Sequence, residues 1–182
     1  MIQIRMQRGF TLVETMVAVS IVAISIVGPL YSLQKGVVAS YAARDRLVAS
    51  SLAQEGIEYA HSVRDANYLF NIANPSSPRS WFYGLNGAGG SPNCTAGASC
   101  IVDATQSTVV VCSGTCPVLK LSSTGLYNQS AVSGTNVPSR FTRVMKLTSL
   151  NAHEMKVTVT VTWSTGAVSY SVDISETMQD WL

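Results

Sequence analysis

Charged side chains are scarce in this chain. Asp, Glu, Lys and Arg make up only 12% of its 182 residues, whereas a globular domain typically contains about a quarter. Twelve basic residues face ten acidic ones, and this near balance argues against a nucleic-acid-binding surface, which needs clustered positive charge. So little charge suits an extracellular protein that packs against copies of itself.

Side chains that could carry catalysis are also few. His61 and His153 are the only histidines, and neither has a nucleophile beside it in the sequence. No nucleophile elbow, phosphate loop, His-Glu-x-x-His or dinucleotide fingerprint is found. Asp103 and Asp173 are candidate calcium ligands, but no run of oxygen ligands surrounds either of them. We therefore expect no catalytic site, no metal and no cofactor.

One segment has no charge at all. Residues 15–34 are uncharged and rich in Val, Ile, Leu and Ala. At about 1.5 Å per helical residue they can cross a hydrocarbon core of about 30 Å. Arg5 and Arg8 lie on the short side of this span, which the positive-inside rule places in the cytoplasm. Basic residues also follow the span, and they weaken this charge argument. We nevertheless expect a single-pass membrane protein with its N-terminus in the cytoplasm and its head outside.

An acidic residue lies just inside the apolar block. Glu14 has no cation in residues 15–34 to neutralise it. A carboxylate in a membrane helix costs on the order of 2.5–3.5 kcal/mol near the bilayer centre and less near the interface. Cleavage between Gly9 and Phe10 would create a positive α-amino group at the same depth. Glu14 of one subunit would then pair with the amino terminus of a neighbour and set their axial offset.

Residues 8–14, Arg-Gly-Phe-Thr-Leu-Val-Glu after a short basic leader, resemble the class III signal of type IV prepilins and of the pseudopilins of type II secretion. The resemblance implies that a membrane-embedded prepilin peptidase cuts after Gly9 and N-methylates Phe10. It implies that Glu14, fifth in the mature chain, pairs with the amino terminus of a neighbour. The implied partners are identical copies in a helical filament, the pilus assembly machinery, and membrane lipid before assembly.

Two simpler interpretations of the same segment stay open. An ordinary secretory signal has a basic start and an apolar core, but that core is usually 7–15 residues and ends at a small-residue cleavage site. Residues 38–40, Val-Ala-Ser, have that character. A plain single-pass anchor would account for the apolar span without accounting for Glu14.

The helical pattern continues beyond the membrane span to about residue 70. Pro29 lacks an amide proton and predicts a kink or a frayed turn; the resemblance implies that this part of the helix can stretch in a filament. We expect breakers at residues 67–74 to end the helix. An apolar stripe of helical period predicts the face that lies on a sheet: Tyr41, Val48, Leu52, Tyr59, Val63 and Phe70.

Strand patterns dominate the second half of the chain. The clearest is a hairpin of residues 154–163 and 168–174, in which apolar and hydroxyl side chains alternate around a turn at 164–166. Weaker runs predict strands at 101–104, 108–112, 118–122 and 140–149. The aromatic residues 81–83 are interpreted as head core or subunit contact, and Trp181 as an anchor for the chain end.

Four cysteines stand at positions 94, 100, 112 and 116. Zinc ribbons favour pairs two residues apart, which these are not, and an exported domain meets an oxidising environment. Disulfides are therefore predicted rather than a metal site. The local pairing, Cys94–Cys100 with Cys112–Cys116, is preferred, and a crossed pairing is a serious rival.

These features predict an α+β fold in which a long, kinked N-terminal helix packs on a C-terminal antiparallel β-sheet head, the pilin-like lollipop. The expected divisions are a cleaved leader at 1–9, a membrane and filament-core half-helix at 10–34, an amphipathic half-helix at 35–70 and a head at 71–182. The first hypothesis is a structural subunit of a type IV pilus or pseudopilus, polymerised through its N-terminal helix.

Two further hypotheses stay open. One is a minor tip subunit whose head binds a surface or DNA; residues 53–58 and 63–67 resemble those of minor pilins and pilin-like proteins. A secretion pseudopilin belongs to the same group. The other is a membrane-tethered enzyme, which the lack of a visible catalytic set disfavours.

Overall fold

The computed structural model describes residues 9–85, 94–129 and 136–180. Residues 1–8 of the predicted leader and the predicted anchor Trp181 lie outside these residues. The chain divides into two compact units, Met1–Asp45 and Arg46–Leu182.

Helix α1 spans Leu12–Ala73 and has 62 residues. Its end agrees with the predicted breakers, since Asn74 and Pro75 follow at once. The helix is unbroken at Pro29, so the expected frayed turn is wrong. Pro29 removes one hydrogen bond, the one to the carbonyl of Ser25, and the bonds on either side are enough to maintain the helix. A kink without a break stays a prediction.

In the described residues, eight strands follow the helix. Five of them form an antiparallel sheet in the order β2-β1-β6-β7-β8, and three form a small antiparallel sheet in the order β4-β3-β5. The predicted α+β fold is therefore confirmed. Strands β4 and β5 were not predicted, because two residues cannot show an alternating pattern. The bounds are β1 Cys100–Asp103, β2 Thr108–Val111, β3 Lys120–Leu121, β4 Tyr127–Asn128, β5 Val137–Pro138, β6 Thr142–Asn151, β7 Glu154–Thr165 and β8 Val168–Gln179.

The predicted hairpin is formed by β7 and β8. Thr165 pairs with Val168 across the turn, and Gly166 supplies the positive φ of 64° that the turn requires. Strand β8 continues to Gln179, five residues beyond the predicted end. Its exposed position at the sheet edge explains the error, because most of its side chains face solvent and show no apolar alternation.

The face of α1 that packs on the head differs from the predicted stripe. Of the six predicted residues only Leu52 is fully buried; Val48, Tyr59 and Val63 lie at the margin of the core, and Tyr41 is exposed. Small residues occupy the centre of the contact, so the helix approaches the sheet closely. The buried positions are Ala49, Leu52, Ala53, Gly56, Ile57, Ala60 and Asn67.

A buried arginine joins three elements of the head. Arg143 on β6 is completely buried, and its Nη1 donates to the carbonyl of Leu52 on α1 at 3.0 Å. Its Nη2 donates to the carbonyl of Val102 on β1 at 2.7 Å. The Oε2 atom of Glu55 lies 3.2 Å from Nη1, so the charge has a counter-ion in a site where an unpaired charge would be costly.

The four cysteines form two disulfides, Cys94–Cys100 and Cys112–Cys116. This is the local pairing, in which the bonded residues are six and four positions apart in the sequence. Cys94 and Cys100 are fully buried in the head core. The first bridge therefore fixes the loop that leads into β1, and the second fixes the loop that follows β2.

Candidate functional site: the N-terminal processing and assembly segment

The first turn of α1 has a built-in cap. The backbone N–H of Glu14 donates to Oγ1 of Thr11 at 3.3 Å, and the N–H of Thr15 donates to the Thr11 carbonyl at 3.2 Å. Thr11 is thus the N-cap residue and Glu14 is the third helical residue, which is the Thr-x-x-Glu spacing of a capping box. Negative charge in the first turn also favours the helix dipole. The Glu14 carboxylate therefore lies where its own helix dipole favours negative charge, besides the intersubunit pairing predicted for it.

The predicted cleavage bond lies just outside the helix. Gly9 and Phe10 have no regular secondary structure and are exposed, Phe10 at 79%. Their position before the Thr11 cap leaves the Gly9–Phe10 bond free of helical hydrogen bonds. A protease could reach this bond without unwinding α1.

From Phe10 to Val38 the large apolar side chains are all exposed, at 50–79% of their surface. Within the described residues one helix is long and apolar enough to cross a membrane, with a window of 18 residues that has a mean hydropathy of 2.1 and no buried residue. A helix that is apolar on every side is unfavourable in water. This segment therefore needs lipid or other chains around it.

Hydroxyl groups inside the apolar segment bond to their own helix. The side chains of Thr15, Ser20 and Ser25 donate to the carbonyls of Leu12, Met16 and Val22, each at 2.8 Å. These bonds remove the penalty that a free hydroxyl would meet in hydrocarbon. Glu14 is then the one acidic or basic side chain between Leu12 and Gln34.

The other candidate residues from the sequence have structural partners in the head. His61 Nε2 lies 3.1 Å from Glu176 Oε2, and His153 Nδ1 lies 3.6 Å from Asp180 Oδ2. The Asp103 carboxylate accepts hydrogen bonds from three backbone N–H groups, and the Asp173 carboxylate accepts one from the Thr160 hydroxyl. In the part of the chain that the structure describes, no three His, Cys, Asp or Glu side chains form a metal-binding group.

Two features of this segment and the head were not predicted. The Thr-x-x-Glu spacing is visible in the sequence and marks a capping box. The burial of Arg143 gives no signal in the sequence, because a charged residue in a strand usually faces solvent.

Pro29, the other residue predicted to act in assembly, lies in the exposed apolar part of α1, fifteen positions after Glu14.

Comparison with known families matches residues 4–28 to the prokaryotic N-terminal methylation motif. The match includes Gly9, Phe10 and Glu14 and ends next to Pro29. No curated protein and no solved structure matches the chain. The motif supports a pilin-like or pseudopilin-like protein and fits a membrane-anchored precursor. The chain carries, at its N-terminus, the leader signal of type IV pilins and pseudopilins.

Proposed function

We propose that this protein is a structural subunit of a type IV pilus or of a related pseudopilus. The observation that carries the proposal is the methylation motif at residues 4–28, which overlaps the exposed apolar part of α1, where residues 15–34 are uncharged. In this account a prepilin peptidase cleaves after Gly9 and methylates Phe10. The assembly machinery then moves the processed subunit from the membrane into the filament.

The apolar half of α1 has two environments in this account. Before assembly it lies in lipid, which covers its side chains on all sides. After assembly it lies among the same segments of other copies, so burial is retained while the subunit leaves the membrane. Contacts that repeat without closing a ring then produce a fibre. We propose the same divisions as expected from the sequence, with residues 10–34 in the filament core and 71–182 as the outer head.

Cleavage would supply a counter-ion for Glu14, which has no cation beside it in residues 15–34. The new α-amino group of Phe10 lies at the level of the first helical turn, where Glu14 also lies. Two unit charges about 4 Å apart attract by roughly 1 kcal/mol in water and about 4 kcal/mol at an intermediate dielectric constant. An incoming subunit would therefore be held at the axial position where its amino group meets the Glu14 of a neighbour.

The test is a comparison of two acidic residues on the same helix. Glu14→Val should leave membrane insertion intact and reduce incorporation into sheared surface filaments by about tenfold or more, since tenfold corresponds to about 1.4 kcal/mol. Glu58→Val is the control, because Glu58 is exposed on α1 beyond the apolar segment. Normal incorporation of Glu14→Val would contradict the pairing mechanism.

The location of the subunit distinguishes a major pilin, a minor tip subunit and a secretion pseudopilin. A major pilin should be abundant along the whole sheared fibre, and a tip subunit should be labelled only at fibre ends. A secretion pseudopilin should stay in the membrane fraction in processed form. Immunogold labelling of the head distinguishes these outcomes.

A further inference from the structure

A cleft lies in the head where the C-terminal end of α1 meets the last residues of β8. Its volume is about 660 Å³, within the range of small-molecule sites. The side chains of Tyr68, Trp81, Arg79 and Asp180 line it. Neither the methylation motif nor the membrane segment accounts for this cleft.

The wall of the cleft formed by residues 79–83 is fastened to the helix. The Asn71 amide accepts from the N–H of Arg79 at 2.8 Å and donates to the Arg79 carbonyl at 2.9 Å. The Asn67 amide donates to the carbonyls of Trp81 and Tyr83 at 3.0 and 2.9 Å. Such a wall is pre-organised, so a ligand would lose little entropy in ordering it.

Arg79 has the geometry of a hydrogen-bond donor held in place. Its guanidinium carbon lies 3.1 Å from the centre of the Phe70 ring and 4.9 Å from that of Tyr83. Stacking of this kind fixes the guanidinium plane and leaves its N–H edge free. Among the described residues Arg79 has no carboxylate partner. Its donors are therefore available to a ligand.

The charges that line the cleft balance. The lining contains two guanidinium groups, of Arg64 and Arg79, and two carboxylates, of Asp65 and Asp180. Arg64 is paired with Asp65 at 2.9 Å, and Asp180 has His153, which is not a lining residue, 3.6 Å away. A polyanion would meet the two carboxylates, and a cationic ligand would meet the two guanidinium groups. The cleft therefore suits a neutral ligand that both donates and accepts hydrogen bonds.

We propose that this cleft binds a short neutral oligosaccharide. Aromatic rings stack on the C–H faces of sugar rings, and the cleft offers Tyr68, which is exposed, and Trp81, which is partly buried against the core. Adjacent sugar hydroxyls can accept from the Arg79 guanidinium and donate to the Asp180 carboxylate. Binding of this kind goes beyond the proposed function and does not depend on filament assembly.

The experiment uses the full-length protein in a zwitterionic detergent, because sugar detergents would compete for the site. Saturation-transfer NMR and calorimetric titration are run with maltotriose, cellotriose, chitotriose and lactose. Trigalacturonate and a short single-stranded DNA serve as anionic probes. The variants are Tyr68→Ala and Asp180→Asn. The matched control is Tyr170→Ala, since Tyr68 and Tyr170 are 39% and 37% exposed and Tyr170 lies near the other end of β8.

At least one neutral sugar should bind with a dissociation constant of about 1 mM or tighter. Tyr68→Ala should weaken it about tenfold, while Tyr170→Ala should bind like the wild type. Unchanged thermal unfolding of both cleft variants would show that the loss is local. Three results would each overturn the proposal: no binding of any neutral sugar, equal losses in Tyr68→Ala and Tyr170→Ala, or preference for an anionic probe.

Discussion

The methyl groups of Val159 on β7 lie directly against Gly56 of α1. A Cβ atom at position 56 would stand 3.0 Å from Cγ1 and 3.1 Å from Cγ2 of Val159. Gly56 weakens a helix by about 1 kcal/mol relative to Ala, but it lets the helix approach the sheet. The buried alanines on either side of it belong to the same close contact.

Gly56→Leu should destabilise the head by about 1–3 kcal/mol, because the added side chain must displace Val159 in a packed core. Gly36→Leu is the matched control, since Gly36 is also helical and a Cβ atom added there would meet nothing within 4 Å beyond its own stretch of helix. Thermal unfolding followed by circular dichroism measures the difference. Equal melting temperatures for the two variants would contradict the close packing.

Arg143→Met should be more damaging than a change at its counter-ion. Removing the guanidinium leaves the carbonyls of Leu52 and Val102 without their donor. The hydrogen bonds that link β6 to α1 and β1 through this side chain are then lost, at a cost of about 3 kcal/mol or more. Glu55→Gln should cost less, about 1–2 kcal/mol, because it leaves the buried guanidinium without its counter-ion, whereas the Glu55 side chain itself is 35% exposed and screened by solvent. Denaturant unfolding of the two variants gives both values. An Arg143→Met protein as stable as wild type would refute this role.

Tyr59 should make the head lose stability in alkaline solution. Burial, and then the negative charge of Asp103, raise the pKa of Tyr59. The neutral phenol is thus favoured in the folded state, and its stabilisation is present below the unfolded pKa of about 10 and is lost as pH rises through the folded pKa. Tyr59→Phe removes this dependence. Its melting temperature should therefore fall less steeply than that of wild type above about pH 10, and parallel curves would contradict the shift.

Thr11→Ala should fray the start of α1 without preventing cleavage. Loss of the N-cap acceptor costs about 1 kcal/mol, and the Glu14 N–H loses its partner in the first turn. Hydrogen exchange should become faster at residues 12–15 and stay unchanged in the head. Thr11→Ser keeps the hydroxyl and should behave like the wild type. Exchange that is equally fast in both variants would argue against the cap.

The fold was largely predictable because its main elements have strong periodic patterns. The long helix and the β7–β8 hairpin follow from apolar spacing, and the helix end near Asn74 and the hairpin turn follow from the breaker and turn residues there. The buried helix face did not follow, because large apolar residues such as Tyr41 dominate the periodic pattern while the contact is made by glycine and alanine. The burial of Arg143 could not be predicted either, because a buried charge is stable only with hydrogen-bond and ion-pair partners that the fold brings together.

The apolar N-terminal span and its unusual acid are evident from the sequence. The Thr11 cap was not predicted, because the expectation of Glu14 in lipid directed attention to the membrane and not to the Thr-x-x-Glu spacing. The cleft could not be predicted. Tyr68, Arg79 and Asp180 come from three separate stretches, and only the fold brings them together.

Mass spectrometry of the mature N-terminus shows whether this chain is processed as a prepilin. The protein is taken from the membrane fraction and from sheared surface filaments of cells that carry a prepilin peptidase. A processed prepilin should begin at N-methylated Phe10 in at least one of these fractions, and a Gly9→Leu variant should keep residues 1–9. A wild-type chain that begins at Met1, or near Tyr41 after a conventional signal cleavage, would contradict prepilin processing.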